Sequence, residues 1–442
     1  MSLPTLHISV KKLQMALQAK AKAEPDYRFY SLWDKVCRHD VLWKAYRCCR
    51  ANGGAPGVDR VTFAQIESEG VTAWLAKLQE ELRSKTYRPG PLLRVWIPKS
   101  NGGQRPLGIP AIRDRVAQMA LLLVIGPIFE ADLCPEQYGF RPGVDAKMAI
   151  RRAYFHVTKR GLREVVDGDL SDYFNTIPHG ALMRCLSRRI ADGQVLSTIK
   201  QWLRVPVVER TEDGERRTTA AADKNRGVPQ GGPASPMLAN LYFRRFILAW
   251  KQFGHERQLQ AHVVNNADDL VICCRPGKGP QAMEVFRSLM TRLGLTVNER
   301  KTRLVKLPEE SFDFLGYTMG RFYGRNGQPY IGTRPSKKAV RRLLLRIHEE
   351  TSSQWNWQLP EKRVLELNLI LRGWCGYFNQ GPVTRVYQLI RKYTERRFRR
   401  WLMRRKQRHG TGYKQYPDDY LYKTLGLYQL PLSRAAVLNA KA

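Results

Sequence analysis

From residue 27 to 49 apolar positions recur at mixed i, i+3 and i+4 spacings, Leu32, Val36, Leu42 and Tyr46 among them, and the stretch reads as helical. A turn-rich run, Asn52-Gly53-Gly54-Ala55-Pro56-Gly57, ends it, and a second helical pattern covers 71–82. Residues 92–99 and 105–109 are β-rich and flank Ser100-Asn101-Gly102-Gly103, which predicts a hairpin with a glycine-bearing loop. Between 161 and 330, β-rich runs at 163–170 and 262–274 alternate with helical patterns at 233–250 and 281–293. That mixture predicts an α+β protein. Beyond 337 the strand pattern fades, and basic helical segments run to about 408, with a natural boundary near 332–336. The longest apolar run, 119–129, spans 11 residues and includes Pro127, far short of the ~20 that a membrane-spanning helix needs.

Composition narrows the function. The chain has 442 residues, 75 Lys+Arg and 39 Asp+Glu, for a net charge of +36. Solubility needs far less, so a polyanionic partner is expected. With 43% hydrophobic and 10% aromatic residues the chain is no disordered basic tail. The eight cysteines form no CxxC pair, so neither zinc nor a disulfide framework is expected, and reduced thiols fit a cytosolic protein. Residues 1–23 contain lysines but no apolar signal-peptide core.

In so basic a chain, carboxylates inside apolar strands draw attention. His262 to Cys274 reads as strand, turn and strand with Asp268-Asp269 at the tip. Adjacent carboxylates repel unless a cation lies between them, although an exposed hairpin turn would also explain the pair. A second β-rich run, Glu164-Val165-Val166-Asp167-Gly168-Asp169, ends on another carboxylate. Oxygen ligands on neighbouring strands are how Mg²⁺ sites are assembled. Between the two lies Gly227-Val228-Pro229-Gln230-Gly231-Gly232-Pro233-Ala234-Ser235-Pro236, a turn-forming stretch that opens a helix. Its backbone N–H groups suit a phosphate or a closely packed nucleotide, and an ordinary glycine-rich loop is the plainer reading.

In this order the three segments resemble the palm motifs of reverse transcriptases, specifically those encoded by group II introns, also called maturases. The resemblance places the first catalytic aspartate at Asp169 and the other two at Asp268 and Asp269, within Asn266-Ala267-Asp268-Asp269. It implies two Mg²⁺ ions held by these three. Phe174 falls where the family keeps an aromatic against the sugar 2′-position, and Gln230 would lie against the incoming nucleotide. Ile97-Pro98-Lys99 and Gly102 to Pro110 look like the fingers hairpin, with Lys99 and Arg105 neutralising the triphosphate. Tyr138 to Gly143 resembles the next fingers block, and Ala55-Pro56-Gly57-Val58-Asp59 the N-terminal extension. Lys301 stands where polymerases place a proton donor, and a surface lysine on phosphate fits the position as well. Phe314-Leu315-Gly316-Tyr317 resembles the primer-grip turn, and Leu371 to Phe378 the thumb, or maturase, domain.

The implied fold is a right-hand polymerase of fingers, palm and thumb with an N-terminal extension. The expected division is extension and start of fingers at 1–90, fingers and palm at 91–335, helical thumb at 336–412 and a short nucleic-acid-binding tail at 413–442. The implied partners are group II intron RNA, a DNA target or primer and dNTPs, with no membrane, in a cytoplasmic bacterial-type ribonucleoprotein. The implied activity is RNA-directed DNA polymerisation combined with splicing support and retromobility. One position departs from the family: Asn266 replaces the tyrosine that packs beside the primer terminus. That change keeps open a maturase with weak or lost polymerisation, and an intron-free defence-associated reverse transcriptase is a third possibility. No cysteine pairs or HNH-like histidine cluster follow the thumb, so the endonuclease domain of some relatives is expected to be missing.

From 391 to 409 the chain holds ten Lys/Arg and one acid, Glu395. Phe398, Trp401 and Leu402 form one packing stripe, leaving the rest of the helix to face outward. Arg391, Lys392, Arg396, Arg397, Arg399, Arg400, Arg404, Arg405 and Lys406 are therefore expected to bind RNA. Neutralising six phosphates implies a salt slope of about −5. His179 reads as a structural histidine at a helix start, and Trp374 and Tyr377 as thumb core.

Overall fold

The computed structural model describes residues 3–98, 103–212, 214–324 and 326–432, with side chains from residue 9; Lys99 lies outside them. The strands are β1 (Leu92–Pro98), β2 (Gln104–Ile109), β3 (Glu164–Gly168), β4 (Val207–Thr211), β5 (Gly214–Thr218), β6 (Ala261–Asn266), β7 (Asp269–Cys274), β8 (Arg303–Lys306), β9 (Phe312–Phe314), β10 (Tyr317–Tyr323) and β11 (Pro329–Pro335). They form three sheets, ordered β2-β1-β4-β5, β6-β7-β3-β8 and β11-β10-β9.

The sheet of β6, β7, β3 and β8 is covered on both faces, which is why its strands read as continuous apolar runs rather than alternating ones. Val166, Val263, Ile272 and Cys274 face a large core that includes helices Ser235–Gln252 and Gly279–Arg292. Val165, Val264, Val271 and Cys273 face a second core, shared with helix Ala146–Thr158 and β9–β11. The adjacent cysteines 273 and 274 thus point to opposite layers, as the two-residue period of a strand requires.

The first core also takes in residues from Val10 to Tyr87, so this N-terminal region packs with the palm. The helical pattern at 27–49 resolves into two helices, Trp33–Val36 and His39–Asn52. Phe29 is instead extended beside Ile190, exchanging backbone hydrogen bonds with Arg189 and Ala191, each at 2.8 Å. One Asp192 oxygen accepts from Leu32 and Trp33 N–H at 2.9 and 2.8 Å, and the other caps helix Gly193–Arg204. Between the two helices Arg38 turns extended, its guanidinium clamped on Asp40 at 2.7 and 2.9 Å.

The predicted 92–109 hairpin forms, and a second hairpin, β4–β5, extends its sheet through the parallel pairing Leu92↔Val207 and Leu93↔Val208. Helices Lys337–Glu350, Pro360–Tyr377 and Thr384–Arg405 make the C-terminal unit, whose core continues through Tyr416, Leu421, Leu427 and Leu430. Residues 416–430 of the segment expected to bind nucleic acid at 413–442 therefore contribute to that unit's packing, and 433–442 lie outside the described residues.

Candidate active site and nucleic-acid interface

The register of the central sheet joins the aspartates. β3 and β7 run antiparallel with Asp167 opposite Val271 and Gly168 opposite Leu270. One step further along that register brings Asp169 level with Asp269, across a separation of 100 residues. Asp269 is itself paired with Asn266 at the end of the β6–β7 hairpin. The tip of that hairpin is tightly held. Ala267 adopts φ +60°, and the Asn265 amide, wholly buried, donates to the carbonyls of Ala267 at 2.7 Å and Asp269 at 3.2 Å. Residues 136–139 lie against the tip: Asn265 N donates to Glu136 O at 2.9 Å and Tyr138 N to Asn265 O at 2.8 Å. A Cβ on Gly139 would come within 2.4 Å of Ala267 N, so only glycine permits that approach.

Asp169 is positioned by the segment before β8. Asn298 Nδ2 donates to its Oδ2 at 2.9 Å, Lys301 Nζ pairs with the same oxygen at 3.2 Å, and Asp169 N donates to Thr302 Oγ1 at 3.1 Å. Sequence reasoning missed Asn265, Asn298 and Thr302, because each acts on a turn or a distant aspartate without carrying the chemistry itself.

A cleft of about 1030 Å³ opens over this point, and Asp169, Asp268, Phe174, Gln230, Lys301, Asn298 and Arg105 all line it. The Gln230 loop is fastened to the hairpin of β1 and β2 by Gly108 N donating to Gln230 O at 2.8 Å. Gly231, at φ +120°, brings the loop so close to Gly108 O that a Cβ would lie 2.4 Å away. The opposite wall comes from Cys49 and residues 52–55, which Arg115 holds by bonds to Gly53 O, Ala55 O and, at 2.9 Å, Pro110 O. His179 is outside the chemistry. It opens helix His179–Ser187, is buried, and its Nε2–H donates to Gly227 O at 2.8 Å.

Electrostatically the floor is strained by like charge. Desolvation by the surrounding protein, then Asp268, Asp169 and Asp167, pushes the Asp269 carboxyl up to about 7 against the pull of Lys301. Asp167 is pushed up to about 6 by burial, with Arg303 at 3.5 Å acting the other way. Among the described residues no three His, Cys, Asp or Glu side chains gather tightly enough to hold an ion. The donor set still suits a hard cation: Asp268 and Asp169 add like charge beside Asp269, and the side-chain partners of Asp169 include an exposed, movable lysine.

Comparison with known proteins agrees with this geometry. Residues 97–319, just over half the chain, match the model of the reverse transcriptase (RNA-dependent DNA polymerase) family. The chain belongs to the reverse transcriptases. Residues 340–417 match the group II intron maturase-specific domain. The chain is 32% identical to protein YkfC of Escherichia coli over 75% of this chain and 93% of that protein. It is 25% identical to an uncharacterised 91 kDa protein in a cob intron of Schizosaccharomyces pombe, over 81% of this chain and 52% of that one. It is 29% identical to the group II intron-encoded protein LtrA of Lactococcus lactis, over 51% of this chain and 36% of LtrA. The chain thus spans about half or less of the last two relatives.

Within this reverse transcriptase the maturase domain changes the reading of the basic helix Thr384–Arg405. Lys392, Arg396, Arg400, Arg404 and Lys406 are exposed, as an RNA-facing surface requires. Arg399 is wholly buried: its Nε donates to Tyr416 O at 2.8 Å, it pairs with Asp418, and it lies 4.2 Å from the Tyr413 ring centroid. It is a core residue and has no surface to offer RNA. Arg391, Arg397 and Arg405 are half-buried and engaged with Glu395 and Tyr422, with Thr351, and with Gln358 O. Part of the like charge along the helix is therefore met by the protein's own oxygens. Trp374 and Tyr377 pack at the junction with the palm, Trp374 with Phe378 at 4.5 Å and Tyr377 with Tyr317 at 6.0 Å.

Proposed function

We propose that this reverse transcriptase extends a DNA primer on an RNA template and, as a cytoplasmic ribonucleoprotein, holds group II intron RNA in its splicing-competent shape. The observation that carries the enzymatic reading is the single cleft that joins Asp169 and Asp268 to Arg105, Gln230, Phe174 and Lys301. Asp169, Asp268 and Asp269 would hold Mg²⁺. When bound, two such ions would supply activation of the primer 3′-hydroxyl and stabilisation of the pyrophosphate leaving group. Arg105, exposed on β2, presents its planar fork to the triphosphate, a role Lys99 would share. Phe174, packed on Tyr173 at 5.6 Å, forms a firm wall beside the sugar. Gln230 is fixed through its backbone to Gly108 and leaves its side chain for the nucleotide. Lys301, 3.2 Å from Asp169, can carry a proton toward the departing pyrophosphate. Exposed cations of the maturase domain supply the RNA contacts, in keeping with the domain match.

Mg²⁺-dependent dNTP incorporation on an RNA template with a DNA primer tests the enzymatic reading. The Asp268→Ala/Asp269→Ala variant should fall to background while keeping RNA affinity, and activity that survives overturns the metal assignment. Asn266 favours a second reading, in which splicing support outweighs polymerisation. In the same assay, a large gain in incorporation by Asn266→Tyr supports that reading, and equal rates count against it.

A further inference from the structure

Away from the cleft, on the outer side of the palm, helices His179–Ser187 and Ser235–Gln252 enclose a concavity of about 430 Å³. Five arginines line it against two aspartates, Asp26 and Asp132. Arg189 and Asp132 neutralise each other at 3.2 Å, and Arg189 is otherwise committed to Ala21 and Glu24 carbonyls. That leaves Arg184, Arg188, Arg244 and Arg245. All four act on one thiol, Cys185, which also lines the concavity, so their charges converge on a single volume. Two are pre-positioned: Arg244 donates to Asp132 O at 2.5 Å, and Arg245 lies 5.4 Å from the Tyr242 ring centroid. No ion pair involves these four among the described residues.

Five guanidiniums set against two carboxylates leave a surplus of three positive charges, which is unfavourable unless an anion joins them. Their surplus exceeds what one phosphate group carries, and planar forks match phosphate oxygens bidentately. None of the four lines the catalytic cleft. Arg244 lies nine residues beyond Ser235, the cleft-lining start of its helix, roughly 14 Å along the axis. We propose that this concavity binds the phosphodiester backbone of a nucleic-acid segment separate from the template–primer in the cleft. The shared chemistry could come from a structured RNA or from a DNA target. The inference does not depend on polymerisation.

The test is the salt dependence of binding to a long RNA hairpin and, separately, to a DNA duplex, for the intact chain and Arg184→Gln/Arg188→Gln/Arg245→Gln. Each lost phosphate contact lowers the magnitude of the slope of log K against log salt by about 0.9. The triple variant should lose about 2–3 in slope with one of the two probes, and that probe identifies the source. Extension of a short primer–template should be unchanged. Arg188→Gln alone, at an exposed position, should lose about 1 in slope. A control, Arg257→Gln/Arg275→Gln/Lys278→Gln, removes three exposed charges elsewhere on the palm. Unchanged slopes with both probes overturn the proposal, and so does an equal loss in the control, which would make the effect one of net charge alone.

Discussion

Asp269 occupies a position where its neighbours oppose ionisation: the surrounding protein limits its hydration, and Asp268, Asp169 and Asp167 add like charge. Its carboxyl titrates near 3.8 when unperturbed and at about 7 in the fold. Across that window the folded chain keeps a proton that the unfolded chain has released. Stability is therefore lost as pH rises from about 4, and the loss is complete above about 7. Asp269→Asn cannot ionise. In chelator-containing buffer its melting temperature should exceed that of the unsubstituted chain by a margin that grows from pH ~4 to ~7 and then levels off. A margin independent of pH would refute the shift. The three aspartates were legible because they stand in short acidic runs at the ends of apolar strands. Their supports were not: Asn298 and Thr302 reach Asp169 from 129 and 133 residues away, and nothing local marks either one.

At the scale of elements, periodicity located the palm strands and the first hairpin, because each is decided by short-range alternation and turn residues. The β4–β5 hairpin was not legible in the same way, although Asp213-Gly214 is a hairpin signal, since nothing local marks the distant pairing of β4 with Leu92 and Leu93. The basic helix shows the opposite failure. Ten like charges suggested a uniform RNA-facing surface, yet the side on which an arginine falls depends on the segment that returns to cover it. Arg399 tethers residues 413–418 to that helix, whereas its neighbour Arg400 is exposed. Arg399→Ala should cost roughly 2–4 kcal/mol, from an emptied core position and an unpaired carbonyl. Arg400→Ala should change stability by less than about 0.5 kcal/mol. RNA titrations should show the reverse order of effect, with Arg400→Ala lowering the magnitude of the salt slope by about 0.7–0.9. Chemical denaturation paired with those titrations checks both, and equal stability losses would remove Arg399 from the core role.

For the whole molecule, the question is how the maturase unit is aimed at the cleft. The junction is a small set of reciprocal bonds between aromatic residues and backbone. Tyr317 Oη donates to Tyr377 O at 2.7 Å, Tyr377 Oη donates to Leu315 O at 2.9 Å, and Gln380 N donates to Tyr317 Oη at 3.3 Å. Leu315 and Gly316 both have positive φ, so the turn between β9 and β10 is held in a conformation that few residues adopt unaided. Phe378 lies against Gly316, leaving space only for a hydrogen there without a shift of the ring. This turn is the segment that resembles a primer grip, and the thumb helices reach the palm through it. Tyr377→Phe removes one bond and leaves the ring packing intact, so unfolding should shift by only about 1 kcal/mol. The Leu315 carbonyl then loses its tether to the thumb, and the angle between thumb and palm is less tightly defined. Single-nucleotide addition should be nearly unchanged, because no cleft residue is altered. Product length under single-encounter conditions, with a trap for dissociated enzyme, should fall. Unchanged lengths would mean that the thumb is aimed by packing of Trp374, Phe378 and Tyr387 alone, and that the hydrogen bonds merely fill the junction.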